Sequence, residues 1–280
     1  MIRRATWLWM LAAASLPAAD TADSIRIARI RSHMADTLRQ MPNYTCTQTI
    51  ERTVRRARGR RFELLDTIRL EVALVNGREL FAWPGSGKFD DREIGELIGG
   101  GTSGNGNFAN HARAIFLGDS ARFSYLGEVE TEERRGFHYL FEVPRRLSGY
   151  NLKVGDAAGV AGYHGYFEAD ASSLDVVALD VIAGEIPENV PLRAAVTRMR
   201  YRRVPIGSRD FLLPEFSDMT LTDLPGNESR NVVHLAGCRQ YGTESTISFA
   251  DPPTESAAPP PPPAPAVAQP PAVAELPEGL

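Results

Sequence analysis

Residues 160–182 read VAGYHGYFEADASSLDVVALDVI. Two runs rich in aromatic and β-branched residues, 160–170 and 174–182, are separated by small and polar residues, the pattern of a strand, a turn and a second strand. Asp175 and Asp180 flank the second run as turn or edge residues. Working outward, the pattern recurs in RFSYLGEVE (122–130), FHYLFEVP (137–144), AVTRMRYRRV (195–204), DFLLPEFSDMTLTD (210–223), NVVHLAGCRQY (231–241) and a short TISF (246–249). Strands at such regular spacing, punctuated by Gly, Pro, Asp and Asn, predict an extended antiparallel sheet, and a sheet of that extent has to curl.

The N-terminal half of the chain frames this run. Ile27, Ile30, Met34, Leu38 and Met41 are three and four residues apart, which predicts one buried face on a helix from Asp23 to Met41, stopped by Pro42. YTCTQTI then alternates Tyr44, Cys46, Gln48 and Ile50 against threonines as a one-faced strand. Ile68, Leu70, Val72 and Leu74 mark a second strand, Asn76-Gly77 supplies a two-residue hairpin turn, and ELFAW returns as the third. A short helix is expected in DDREIGELI and a loop in GGGTSGNG. Another helix is expected around Phe108, Ala112, Ile115 and Phe116.

The ends differ in kind. Arg3 and Arg4, an apolar stretch from Trp7 to Leu16 and the small residues Ala18 and Ala19 have the order of a secretory signal at 1–19. The apolar stretch is about half of the roughly 20 residues that span a bilayer, so no transmembrane anchor is expected after cleavage. From Pro252 to the C-terminus the composition is dominated by Pro and Ala, which builds no core and reads as a disordered tail at 252–280. Between them, 20–251 is expected to form a single β-rich domain. Export to the periplasm or the extracellular space suits the cysteines as well. Cys46 and Cys238 are the only two, and in an oxidising compartment a lone pair reads as a disulfide joining the first strand to the last.

Several function classes find no support. The net charge of −4 is small and spread along the chain, without a nucleic-acid signature. The glycine loop lacks the lysine and hydroxyl residue of a P-loop, and no serine stands in a nucleophile elbow. His33, His111, His138, His164 and His234 show no local metal-ligand spacing, so neither a metal nor a cofactor is expected. Catalytic residues are not identified; a hydrolase requires His138, His164 or His234 to converge with an acid. The run TVRRARGRRF places Arg52, Arg55, Arg56, Arg58, Arg60 and Arg61 at the turn between the first two strands. These are candidates for contact with an anionic surface such as lipid headgroups, or else a solvated hairpin tip.

The order of elements, with the helix leading into Pro42-Asn43-Tyr44, the stretch GYHGYFEADASSLDVVALDV and YRRVPIGSRDFLLP (201–214), resembles the LolA/LolB-like periplasmic outer-membrane lipoprotein carriers. The resemblance implies an α+β fold, mostly antiparallel, in which a curved half-barrel sheet wraps the N-terminal helix and a short helical insert. It also implies a lipid or other acylated ligand in an apolar cavity. Tyr139, Phe141, Tyr163, Tyr166 and Phe167 are the wall candidates and Phe108, Ile115 and Phe116 the lid candidates; all eight serve equally as plain core. The other readings are an envelope scaffold with a filled core, holding a partner protein through the arginine tip, a sheet edge or the tail, and a hydrolase. The cysteine pair and the proline tail depart from the carrier pattern.

Overall fold

The first helix, α1 (Ala18–Arg39), carries the expected stripe: Ile30, Met34 and Leu38 are buried, with Ile27 and Met41 packed beside them. It begins five residues earlier than the spacing predicts. The computed structural model describes residues 18–86, 88–90, 92, 94, 107–132 and 134–241. The signal segment up to residue 17, the glycine loop, most of DDREIGELI, TISF and the proline-rich tail lie outside these residues.

The strands follow as β1 (Tyr44–Arg55), β2 (Glu63–Val75), β3 (Arg78–Ala82), β4 (Arg122–Glu130), β5 (Arg135–Val143), β6 (Tyr150–Val154), β7 (Ala157–Asp170), β8 (Val176–Gly184), β9 (Leu192–Ile206), β10 (Arg209–Asp223) and β11 (Glu228–Gln240). A second helix, α2 (Asn107–Phe116), lies between β3 and β4. The sheet has eleven strands in the order β3-β2-β1-β11-β10-β9-β8-β7-β5-β4, with β6 paired to β7 below β5. Every pairing is antiparallel and the path is open, with β3 and β4 at its edges. Flat, with strands about 4.8 Å apart, such a path would be some 40 Å wide. Yet inward residues from β2 (Leu70) through β5 (Tyr139, Phe141) share one core with α1 and α2. The sheet therefore curls around the two helices as a half-barrel.

Local chemistry fixes the register. Asn76 and Gly77 both have positive φ, 52° and 77°, the conformation of the tight hairpin turn that aligns Val75 with Arg78. Gly165 is required by close approach: a Cβ there would stand 1.9 Å from the Asp180 carbonyl oxygen, and the Phe141 ring on the neighbouring strand covers the space. At the seam between the first and last strands the register shifts by one residue opposite Cys46, and Gly237 in the bulge has φ 61°. That extra residue brings Cys238 beside Cys46, and the two form a disulfide with Cα atoms 4.1 Å apart.

The structure departs from the sequence reading in two elements. β6 was not expected, because YNLKV is only five residues long; it is held by a small second core of Leu152, Ala161, Val190, Leu192 and Ala195. β1 runs through Arg55, so Arg52 is not at a turn. It is buried on the strand and paired with Asp66 by two hydrogen bonds, one of 2.7 Å from Nε.

Two outcomes follow. Thiol labelling of exported protein under denaturing, non-reducing conditions finds no free cysteine. Cys46→Ser with Cys238→Ser lowers stability by about 4 kcal/mol in chemical denaturation, since the bridge spans 192 residues. Gly165→Ala costs about 3 kcal/mol by overpacking, whereas Gly155→Ala, with open space around it, is limited to the strain of its φ of 58°.

Candidate functional site

The concave face between β4 and β7 is lined by aromatic side chains because β5 and β7 alternate. Tyr139, Phe141 and Val143 point inward from one, Tyr163 and Phe167 from the other, and all are buried. α2 lies across this wall and buries His111, Ala112, Ile115 and Phe116 against it. The rings interlock. Phe116 meets Phe167 edge-on at 5.0 Å and lies parallel to Phe123 at 6.2 Å, and Tyr139 stacks on Phe167 at 5.1 Å. At the other end His111 is edge-on to Tyr150 at 5.3 Å and to Tyr163 at 6.3 Å, and Phe141 meets Tyr163 at 6.1 Å.

Of the candidate wall and lid residues, the structure brings Tyr139, Phe141, Tyr163, Phe167, Ile115 and Phe116 together. Tyr166 is the exception. It is 40% exposed on the opposite, convex face beside His138, as strand alternation requires of the neighbour of Phe167. Phe108 falls on α2, but its side chain lies outside the described structure. The sequence reading passed over His111, Phe123 and Tyr150, which belong to the same surface; His111 was weighed only for metal spacing, although it stands one residue from Ala112 on the buried stripe.

One polar atom in this seam, His111 Nε2, is buried without a hydrogen bond. Burial pushes His111 down to about 4 and Tyr163 up to about 12. Burial likewise raises Tyr139, against the hydrogen bond and then the charge that the Arg26 guanidinium offers its hydroxyl. Arg26 sits on α1 at the mouth of the wall, over the Tyr125 ring at 4.5 Å and the Phe137 ring at 4.6 Å, and donates to Asp23 at 2.5 Å. Arg31, one helical turn further, donates to the carbonyls of Phe116 at 3.3 Å and Gly118 at 2.7 Å. It thereby caps the C-terminal end of α2, where carbonyls lack helical partners.

A second, polar feature lies where α1 ends. His33, Asp36, Thr37 and Gln40 face Arg203, Arg209 and Asp210 across a cleft of about 270 Å³. Behind it Asp175, nearly buried at the start of β8, receives His33 Nε2 at 2.8 Å and both Arg203 Nε and an Arg203 terminal nitrogen at 2.7 and 2.8 Å. Asp175 lies in the connection between β7 and β8, as an edge or turn residue does, and is also a tie between helix and sheet. Burial alone would raise its carboxyl; the bonds and charges of Arg203 and His33 outweigh that and hold it below the usual range.

His138, His164 and His234 are spread over the convex face of β5, β7 and β11, opposite Glu168, Glu142 and Phe216 in the register, and do not gather around one acid. Among the described residues no three of His, Cys, Asp and Glu are placed to hold a metal ion, and no helix is long and apolar enough to cross a membrane. Of the arginine run, Arg52 and Arg55 are paired with Asp66 and Glu228, while Arg56, Arg58, Arg60 and Arg61 are exposed at the hairpin tip.

No family model matches the sequence, and no curated protein does. Among solved structures the chain is similar to a LolA superfamily protein from Nitrosomonas europaea, at 10% identity and a TM-score of 0.39, over 77% of this chain and 94% of that one. It is also similar to a putative outer membrane lipoprotein-sorting protein domain from Vibrio parahaemolyticus, at 12% identity and 0.39, over 79% and 94%. A third is a DUF1329 family protein from Desulfovibrio piger, at 11% identity and 0.39, over 79% and 94%. The half-barrel itself rests on the strand order and register given above.

The buried histidine gives this seam a pH signature. Between 6.5, the ordinary value for histidine, and about 4, the unfolded chain takes up a proton that folded His111 refuses, so stability falls with pH across that window. Equilibrium unfolding of the wild type and His111→Leu at a series of pH values should differ by a pH-dependent part of about 3 kcal/mol, present only in the wild type.

Proposed function

We propose that the chain is an exported, non-catalytic binding protein of the cell envelope that holds an apolar or lipid-like ligand between the concave sheet and α2. In this reading residues 1–19 are removed as a signal, 20–251 form the binding domain and 252–280 a disordered tail. The basic start, the short apolar run and the Cys46–Cys238 bridge support export to the periplasm or beyond.

The observation that carries the binding reading is His111 Nε2, buried unpartnered in an otherwise aromatic seam. Leaving such a group unsatisfied costs about 1–3 kcal/mol, and stable cores avoid it. A ligand with a long apolar body and a few polar atoms satisfies this group while replacing ring contacts with chain contacts. Its entry requires α2 to move from the wall, and the Arg31 cap keeps one end of that helix attached to α1. The interlocked rings favour a second reading, an envelope scaffold whose core is filled and whose partner is another protein.

Native mass spectrometry of the protein purified from its own envelope, together with uptake of a fluorescent fatty-acid probe, separates the two. The carrier reading expects co-purified lipid that the probe displaces, a higher Tm with probe bound, and at least tenfold weaker uptake in Tyr139→Phe with His111→Leu. Absence of both lipid and probe uptake would sink it and leave the scaffold.

A further inference from the structure

At one end of the half-barrel two neighbouring hairpin turns form a single surface. The β1–β2 turn carries Arg56, Arg58, Arg60 and Arg61, all exposed, and none of them makes an ion pair among the described residues. The arginines just behind them are matched: Arg52 to Asp66, Arg55 to Glu228 at 2.5 Å, and Arg230 to Asp218 at 2.7 Å. Glu63 is the one carboxylate in residues 56–65. The β10–β11 turn beside it is Leu-Pro-Gly-Asn, and Asp223 at its base turns inward, accepting from the backbone of Gly226 at 2.8 Å and of Asn227 at 2.7 Å. Arg193 adds a further cation to this end, donating to the Leu224 carbonyl at 2.8 Å.

The surface is braced. Ala57 N donates to the Asn227 side chain at 3.1 Å, tying one turn to the other, and Gly59 N closes the first turn on the Arg56 carbonyl at 2.7 Å. Phe62 is held under the Arg55 and Arg230 guanidiniums at 4.9 and 5.6 Å. Beside the same two turns stand exposed leucines, Leu64 at 63% and Leu65 at 56% at the start of β2 and Leu224 at 54% on the β10–β11 turn. Leu65 occupies the irregularity between Arg52/Asp66 and Thr53/Leu64, where the strand pairing skips a residue.

We propose that this end docks on an anionic lipid bilayer, the arginines taking phosphate oxygens of the headgroups while Leu64, Leu65 and Leu224 enter the interface. Charge complementarity selects the occupant's sign, and the leucines select its kind. A soluble polyanion engages the guanidiniums but leaves the leucines in water; a bilayer interface takes both. The site lies apart from the α2 seam and does not depend on a ligand being held there.

The test is cosedimentation of the full chain with vesicles of phosphatidylglycerol and phosphatidylethanolamine, against vesicles of phosphatidylcholine alone. Each basic residue at an anionic surface contributes about fivefold to binding. The quadruple substitution Arg56→Gln, Arg58→Gln, Arg60→Gln, Arg61→Gln should therefore weaken binding by roughly 600-fold. Leu64→Ser with Leu65→Ser should weaken it about tenfold and make the remainder more sensitive to salt. Circular dichroism and Tm confirm that both variants fold. Equal binding to the two vesicle types, no binding to either, or an unchanged affinity in the quadruple variant overturns the proposal. So does capture of inorganic polyphosphate without vesicle binding, which assigns the tip to a soluble anion.

Discussion

Docking of α1 into the concave face is the constraint on which the other features depend. A curled, open sheet leaves its inner surface uncovered, and the stripe of Ile30, Met34 and Leu38 supplies the apolar partner. Three polar positions around that stripe reach across to other elements. Arg26 covers the rings of Tyr125 and Phe137, Arg31 caps α2, and His33 reaches the buried Asp175 that Arg203 also holds. One helix therefore sets the position of the lid helix, closes the mouth of the aromatic wall and ties itself to β8 and β9.

The sheet contributes the complementary constraint. Because β1 lies beside β11, the two ends of the folded region meet in the middle of the strand order, and the edges fall on β3 and β4, far apart in the path. The Cys46–Cys238 bridge joins that seam covalently. An open path leaves the concave face uncovered by strands, and among the described residues α1, α2 and Ile94 pack over it. Two kinds of surface are thereby kept distinct: an inner aromatic one with the unpartnered Nε2 of His111, and an end surface of arginines and leucines on two hairpin turns and the start of β2.

Much of this was legible in the sequence where a local rule acts alone. The three- and four-residue spacing of Ile27, Ile30, Met34 and Leu38, the alternation of Tyr44, Cys46, Gln48 and Ile50, and Asn76-Gly77 each determine their element without help from elsewhere. The lone cysteine pair identified the neighbours β1 and β11 because oxidising chemistry leaves two thiols one partner each. Where partners are distant the residues said little. Asp175 reads as an edge or turn residue, but its tie to His33, 142 positions earlier, leaves no mark in the sequence around it. Arg52 looked like one of a cluster, but its distinction is a partner on β2. Tyr166 sits one residue from Phe167, and aromatic composition does not say which of two neighbours faces inward; only the phase of β7 does. β6 owes its existence to Val190 and Leu192 in a later loop and strand.

The central claim is that α2 is a lid over a binding wall rather than a fixed part of the core. Hydrogen exchange measured on the full chain with and without a fatty-acid probe tests it most directly. The account predicts that amides of residues 107–116 exchange faster than those of α1, β5 and β7 in the free protein, and slow by at least tenfold when the probe is bound. Amides of α2 that exchange only with global unfolding, unchanged by the probe, would contradict it.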